Sequence, residues 1–167
     1  MAKSLLRTNN DLTEMYHRHV HTVYRVCFTY MKNPVDTEDA VSETFLKLMK
    51  SAPAFESEEH EKAWLIRTAT NVCKDILKHW WRRNDHLDDY SETLKAQEEP
   101  AEIDEVMKAI CGLPDKYKTV IYLFYFEGYS CVEISKIVGK PQSTVRNHLH
   151  EARQSLKQRL GDDFDEK

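Results

Sequence analysis

Trp64, Arg67, Asn71, Lys74, Lys78 and Trp81 recur at alternating three- and four-residue spacings, and Arg82 follows directly. At about 100° per residue, with Arg67 at zero, all seven fall between about −40° and +60° of a helical wheel. Cations on such a ridge can hold successive phosphates, indoles can stack on bases, and an amide can bond a base edge. A second set follows Pro141. There Ser143, Arg146, Asn147, His150, Gln154 and Lys157 lie opposite an apolar stripe of Val145, Leu149, Ala152, Leu156 and Leu160. Hydrogen-bonding side chains near a helix N-terminus are what major-groove readout requires. No nucleophile–base pair, phosphate loop or His/carboxylate metal set accompanies either group, so the chemistry expected is binding without turnover, cofactor or metal.

The elements that must carry these residues are helices. Glycine and proline are scarce, at four and five of 167 residues, and helix-forming residues are common. A first helix is expected over 10–31, with Leu12, Tyr16, Val20, Val23, Cys27 and Tyr30 inward. Asn33-Pro34 ends it, and Asp36 is expected to cap a second helix over 37–50 that buries Val41, Phe45, Leu48 and Met49. The ridge belongs to a third helix over 61–82, whose other side carries Leu65, Ile66, Ala69, Val72, Cys73, Ile76, Leu77 and Trp80. Further on, a short helix ends at Gly112, and another over 116–127 ends near Gly128. Ser130 caps the next, and a Gly139-Lys140-Pro141 turn leads into the last. That final pair reads as a helix-turn-helix. The fold class expected is all-α, with two small helical domains, 1–83 and 104–160, joined by a flexible acidic linker over 84–103.

Charge follows the same division. The chain totals −4, yet residues 1–83 carry +2, 84–103 carry −6, 104–160 carry +3 and the tail 161–167 carries −3. Two mildly basic lobes suit DNA, because binding needs local positive potential and not a positive total. The segment 84–103 combines low hydrophobicity with high negative charge, the composition of an extended linker. No apolar run approaches the roughly 20 residues of a membrane span, and the start, MAKSLLRTNNDL, lacks a signal-peptide core. A cytoplasmic protein without membrane insertion is expected. Cys27, Cys73, Cys111 and Cys131 form no CxxC pair and read as reduced, packed thiols. Of His17, His19 and His21, only the outer two share a helix face. They read as solvated, with His19 turned partly inward.

At these residues the chain resembles bacterial RNA polymerase sigma factors of the small, two-domain extracytoplasmic-function (ECF) group of the sigma-70 family. DTEDAVSETFLKLMK (36–50) is similar to the family's polymerase-clamp-binding helix. AWLIRTATNVCKDILKHWWRR (63–83) resembles its helix for melting and reading the minus-ten element. The run 113–156, including EGYSCVEISKIVG and STVRNHLHEAR, is similar to its domain for the minus-thirty-five element. The helix-turn-helix is shared with response regulators, whereas WLIRTATNVCKD is more particular to sigma factors.

The resemblance implies roles residue by residue. Asp39, Glu43 and Phe45 match positions that dock on the β′ clamp helices, and the β flap is a second polymerase contact. Phe55 matches a loop aromatic beside the pocket for a flipped base, and Asn71 a polar position that helps choose that base. Lys74, Lys78, Arg82 and Arg83 would hold phosphates beside Arg67, and Trp64 and Trp81 would stack at the strand junction. Arg146, Asn147, His148 and His150 match the upstream contact, with Ser143 and Thr144 near phosphate at the helix N-terminus. The linker would thread toward the RNA exit path, where growing transcript competes with it. Promoter DNA and core RNA polymerase are the implied partners, with an anti-sigma factor as an optional third. The chain departs from the family pattern at Ser42, where Gln is usual, at Ser143, where Gly is common, and at His148, where Arg is frequent. The rival reading from the residues is a stand-alone helix-turn-helix regulator that binds duplex DNA as a dimer. It would bind its operator without polymerase.

Overall fold

The computed structural model describes residues 9–51, 53–83 and 103–161. Over them the chain forms seven α-helices and no strand. They fall into two units, the first holding α1–α3 and the second α4–α7. The linker and tail expected over 84–103 and 161–167 lie outside the described residues, apart from Ile103 and Gly161.

In the first unit α1 (Asn9–Met31), α2 (Pro34–Ser51) and α3 (Glu58–Arg83) pack mutually. Val23, Val26 and Cys27 from α1, Ala40, Val41 and Leu48 from α2, and Leu65, Ile66, Ala69 and Cys73 from α3 make the core. Buried Thr44 and Thr70 satisfy their hydroxyls on the carbonyls of Ala40 and Ile66, at 2.8 and 2.9 Å, so they enter the core without an orphaned donor.

The register of α1 differs from expectation in its first half. Met15 and His19 point inward, while Tyr16 is exposed and Leu12 and Val20 are half-buried. The apolar repeat alone misplaces this turn because a buried polar residue, His19, occupies the inward position.

The α1–α2 corner also differs. Lys32 takes a left-handed φ of 68° and its amide closes onto the Phe28 carbonyl at 2.9 Å, a cap usually given to glycine. Asn33, not Asp36, then caps α2. Its Oδ1 accepts from the Asp36 amide at 2.9 Å, and its Nδ2 donates to Asp36 Oδ2 at 2.7 Å. Pro34 takes the first helical position, where its missing N–H costs nothing. Asp36 is therefore the third helical residue, bonded back to the cap. Met49 is exposed, although the apolar pattern would bury it. Along α3, Ile76, Leu77 and Trp80 are only half-buried. At 26 residues against 18 for α2, α3 is the longer helix, and burial falls off along its last turns.

The second unit contains α4 (Glu105–Cys111), α5 (Asp115–Tyr125), α6 (Cys131–Val138) and α7 (Gln142–Leu160). Asp104 caps α4, accepting from the Met107 amide at 2.9 Å. Ile103 and Met107 share a core with Ile110, Leu113, Ile121, Leu123, Ile134, Val145, Leu149 and Leu156. Gly128 adopts a φ of 73°, which lets the Tyr129 amide fold back to the Leu123 carbonyl at 3.1 Å. The α6 start is a full capping box. Glu133 N–H donates to Ser130 Oγ at 3.2 Å, and Ser130 N–H donates to Glu133 Oε1 at 3.0 Å. Those bonds hold the Glu133 carboxyl below its usual range. Gly139, left-handed at φ 72°, ends α6 and starts the turn into α7. Val145, Leu149, Ala152 and Leu156 are buried as the stripe predicts, whereas Leu160 at its end is half-buried.

Cys27, Cys73 and Cys111 are buried, Cys131 is half-buried, and all four are free thiols. Among the described residues, no helix is long and apolar enough to cross a membrane.

Candidate nucleic-acid interface

The α3 ridge stands on the solvent side of its helix. Arg67, Asn71, Lys74, Lys78, Arg82 and Arg83 are exposed, Trp64 is half-buried, and Trp81 is 74% exposed. Among the described residues, none of the cations Arg67, Lys74, Lys78 and Arg82 pairs with a carboxylate. A large, solvent-facing indole beside exposed cations is a surface suited to meeting a partner.

Phe55 reaches this ridge from the loop before α3. Its ring meets Trp64 edge to face, with centroids 5.8 Å apart and planes at 64°. Phe55 is itself half-buried, so it has surface left to stack. Asn71 lies seven residues beyond Trp64, about two helical turns or roughly 10 Å along the axis. The loop aromatic and Trp64 come together; Asn71 and the cations continue outward from them as one ridge.

Sequence reasoning missed what holds this end of α3. Ser57 caps the helix, its Oγ accepting from the His60 amide at 3.1 Å, and the His60 ring packs edge-on against Phe55 at 5.3 Å. Glu61, 7% exposed, accepts from Arg18 Nε at 3.1 Å, Arg18 Nη2 at 3.0 Å and His19 Nε2 at 2.6 Å. The Ser57-x-x-His60 spacing, with histidine in the place of the glutamate of a capping box, was the signal available.

On α2, Asp39 and Glu43 are exposed and share one face, four residues apart. Phe45 is placed differently. It is 9% exposed, lies edge-to-face on Tyr16 at 4.9 Å, and helps line an apolar groove with Leu12, Leu48 and Met49. It forms part of a surface without projecting from it.

On α7, Ser143, Arg146, Asn147 and His150 are exposed and Thr144 is half-buried. Pro141 precedes the helix and supplies no side-chain cap, so the first-turn amides are not claimed by one. His148 leaves this outward set. Its ring packs edge-to-face on Tyr117 of α5 at 5.4 Å, and its buried Nδ1 has no hydrogen-bond partner among the described residues. Burial, aided by Lys140 and Lys116 and opposed by Glu151, lowers its pKa. Tyr117 also donates its hydroxyl to Glu151; that bond is the main reason its own pKa is raised.

A helical bundle with an exposed cationic, aromatic ridge, followed in the chain by a separate helix-turn-helix unit, is an architecture suited to DNA binding. Comparison with known proteins gives the class its family. Residues 15–86 match the sigma-70 region 2 model and residues 103–156 the sigma-70 region 4 model. The chain is 30% identical over 135 residues to the RNA polymerase sigma factor SigV of Bacillus subtilis, covering 80% of this chain and 81% of SigV. It is 26% identical over 170 residues to the ECF sigma factor SigW of the same organism, covering 91% and 88%. Its fold is similar to that of the sigma factor RpoE of Bartonella quintana, solved with the anti-sigma factor NepR, at a TM-score of 0.68 and 19% identity over 92% of this chain and 98% of that one. CnrH, solved with the cytosolic domain of CnrY, gives 0.65 at 19% identity over 97% and 95%. The chain belongs to the ECF group of the sigma-70 family of bacterial RNA polymerase sigma factors.

Proposed function

We propose that this chain is the promoter-recognition subunit of a bacterial RNA polymerase and works by recruitment. It binds core polymerase, recognises the minus-ten and minus-thirty-five elements and directs transcription initiation. The observation that carries the reading is the pair of sigma-70 regions, 2 and then 4, in one chain. The exposed ridge of α3 supports it physically. The polymerase supplies the chemistry of RNA synthesis, so the sigma chain itself is not an enzyme. It works where chromosome and polymerase are, in the cytoplasm.

In this reading domain 2 spans 1–83 and domain 4 spans 104–160, with the acidic segment 84–103 between them and a short acidic tail over 161–167. Asp39 and Glu43 dock on the β′ clamp helices beside the groove that Phe45 lines, and domain 4 meets the β flap. Unstacking a base costs a few kcal/mol, and stacking it on an aromatic returns roughly 1–3 kcal/mol. Phe55 offers that platform, Asn71 tests the base edge, Trp64 and Trp81 stack at the junction, and Arg67, Lys74, Lys78, Arg82 and Arg83 hold the strand. Arg146, Asn147 and His150 read the upstream duplex, with Ser143 and Thr144 near phosphate. Tethering two weak readers makes the second contact intramolecular and so raises the whole affinity. An anti-sigma partner, as in the RpoE–NepR complex, would keep these surfaces from polymerase until a signal arrives.

Pull-down with core polymerase, then run-off transcription from a promoter library, tests the reading. The expected result is tight promoter binding only in the holoenzyme. Specific duplex binding by the free chain, with no polymerase contact, would instead support the stand-alone regulator, which the family match does not favour.

A further inference from the structure

We propose that His60 is a further residue of the minus-ten site, a positioning residue that fixes the 53–57 loop so that Phe55 is in place before a base arrives. The inference rests on the sigma-factor reading above.

His60 is the third residue of α3, and its amide donates to the Ser57 cap at 3.1 Å. In an ordinary capping box the third residue is Glu or Gln, and its side chain accepts from the amide of the cap. Here the imidazole reaches one residue further back. The Glu56 amide donates to His60 Nδ1 at 3.2 Å. Nδ1 accepts this bond in the tautomer that carries hydrogen on Nε2. The loop is thereby fastened to the first turn of α3 at the cap and at the residue before it.

The same ring orients the loop aromatic. His60 meets Phe55 at 5.3 Å with planes at 88°, and Trp64, one turn on, meets it at 5.8 Å and 64°. Phe55 is thus held between two edge contacts from one helix face. The next residue, Glu61, is tied to α1 through Arg18 and His19, so the turn that carries His60 is itself anchored to the bundle. A platform fixed beforehand spares the ordering cost that a loose side chain meets on binding. His60 is exposed and contributes nothing to the core, which lets it be replaced without unfolding the unit.

The test uses holoenzyme reconstituted from core polymerase and the full chain, with single-stranded minus-ten oligonucleotides taken from a promoter that the holoenzyme selects. Affinity is measured for the matched strand and for strands substituted at the captured base. His60→Ala should weaken matched binding about fivefold and narrow the ratio between matched and substituted strands, with core affinity and melting temperature unchanged. His60→Asn, which keeps an acceptor near the Nδ1 position, should recover most of that ratio. His60→Phe keeps a ring edge but no acceptor and should recover less. Equal weakening on every strand, or wild-type behaviour of His60→Ala while Phe55→Ala loses discrimination, overturns the inference and leaves the sigma reading standing. If Phe55→Ala and Asn71→Ala also bind and discriminate like wild type, the minus-ten assignment falls and the inference with it.

Discussion

The Tyr117 ring of α5 and the His148 ring of α7 meet edge to face, with centroids 5.4 Å apart and planes at 78°. This contact takes His148 out of the exposed row formed by Ser143, Arg146, Asn147 and His150, and places it in the seam between two helices. Its depressed pKa has a consequence for stability. The unfolded chain takes up a proton near the ordinary histidine value of about 6.5, while the folded unit resists it. Stability from this group is therefore complete above that value and is lost as pH falls from there through the depressed one. His148→Phe keeps a ring against Tyr117 and removes the titration. Calorimetry of the full chain between pH 7.5 and 5 should find a shallower fall for the variant, and parallel curves would refute the link.

Glu61 joins α1 to α3 through one carboxylate that accepts from both Arg18 and His19. Glu61→Ala leaves those donors facing a largely buried gap. Breaking a buried pair costs about 3–5 kcal/mol, and the exposure of Arg18, whose side chain is 35% accessible, reduces this to an expected loss of about 2 kcal/mol. For a unit of this size that is a drop of roughly 10 °C in melting temperature. A drop under about 2 °C would show that the cluster contributes little.

Replacing Lys74, Lys78 and Arg82 together with alanine should leave core-polymerase affinity intact and suppress promoter opening. Each single-strand phosphate contact contributes about 0.7 to the slope of log affinity against log salt, so that slope should fall by about 2. Permanganate footprinting of the opened region and a salt titration of the holoenzyme measure the two effects. Normal bubble formation by the triple variant would remove the ridge from the mechanism.

Upstream specificity should divide along the face that α7 exposes. Arg146→Ala and Asn147→Ala are expected to relax preference at individual base pairs by about 1–3 kcal/mol each. His148→Ala should lower stability and leave base preference nearly as it was. A library selection with each holoenzyme separates these outcomes, and relaxed preference with His148→Ala would restore that residue to the reading face.

The ridge of α3 was legible because helical periodicity places every member from spacing alone, and all of them except half-buried Trp64 are exposed as the wheel requires. The α7 stripe was legible for the same reason. Periodicity failed where the inward position is polar, as at His19, which cost the register of Met15 and Tyr16. It failed again at Trp80 and Met49, where an apolar residue sits toward the end of a helix. Caps were ambiguous at Asn33 and Asp36, since both residue types cap and only the three-dimensional bonds decide between them. The wheel leaves His148 off the outward face of α7; only the family pattern made it a contact residue. Nothing in the apolar pattern marks His60, because its work is done by one ring nitrogen and one ring edge.

All three tryptophans of the chain, Trp64, Trp80 and Trp81, lie on α3. Intrinsic indole emission is consequently a label-free reporter confined to the first of the two units. The solvent-facing Trp81 will register an arriving strand or subunit as a change in colour or intensity, while the helix-turn-helix stays dark and must be followed through its tyrosines.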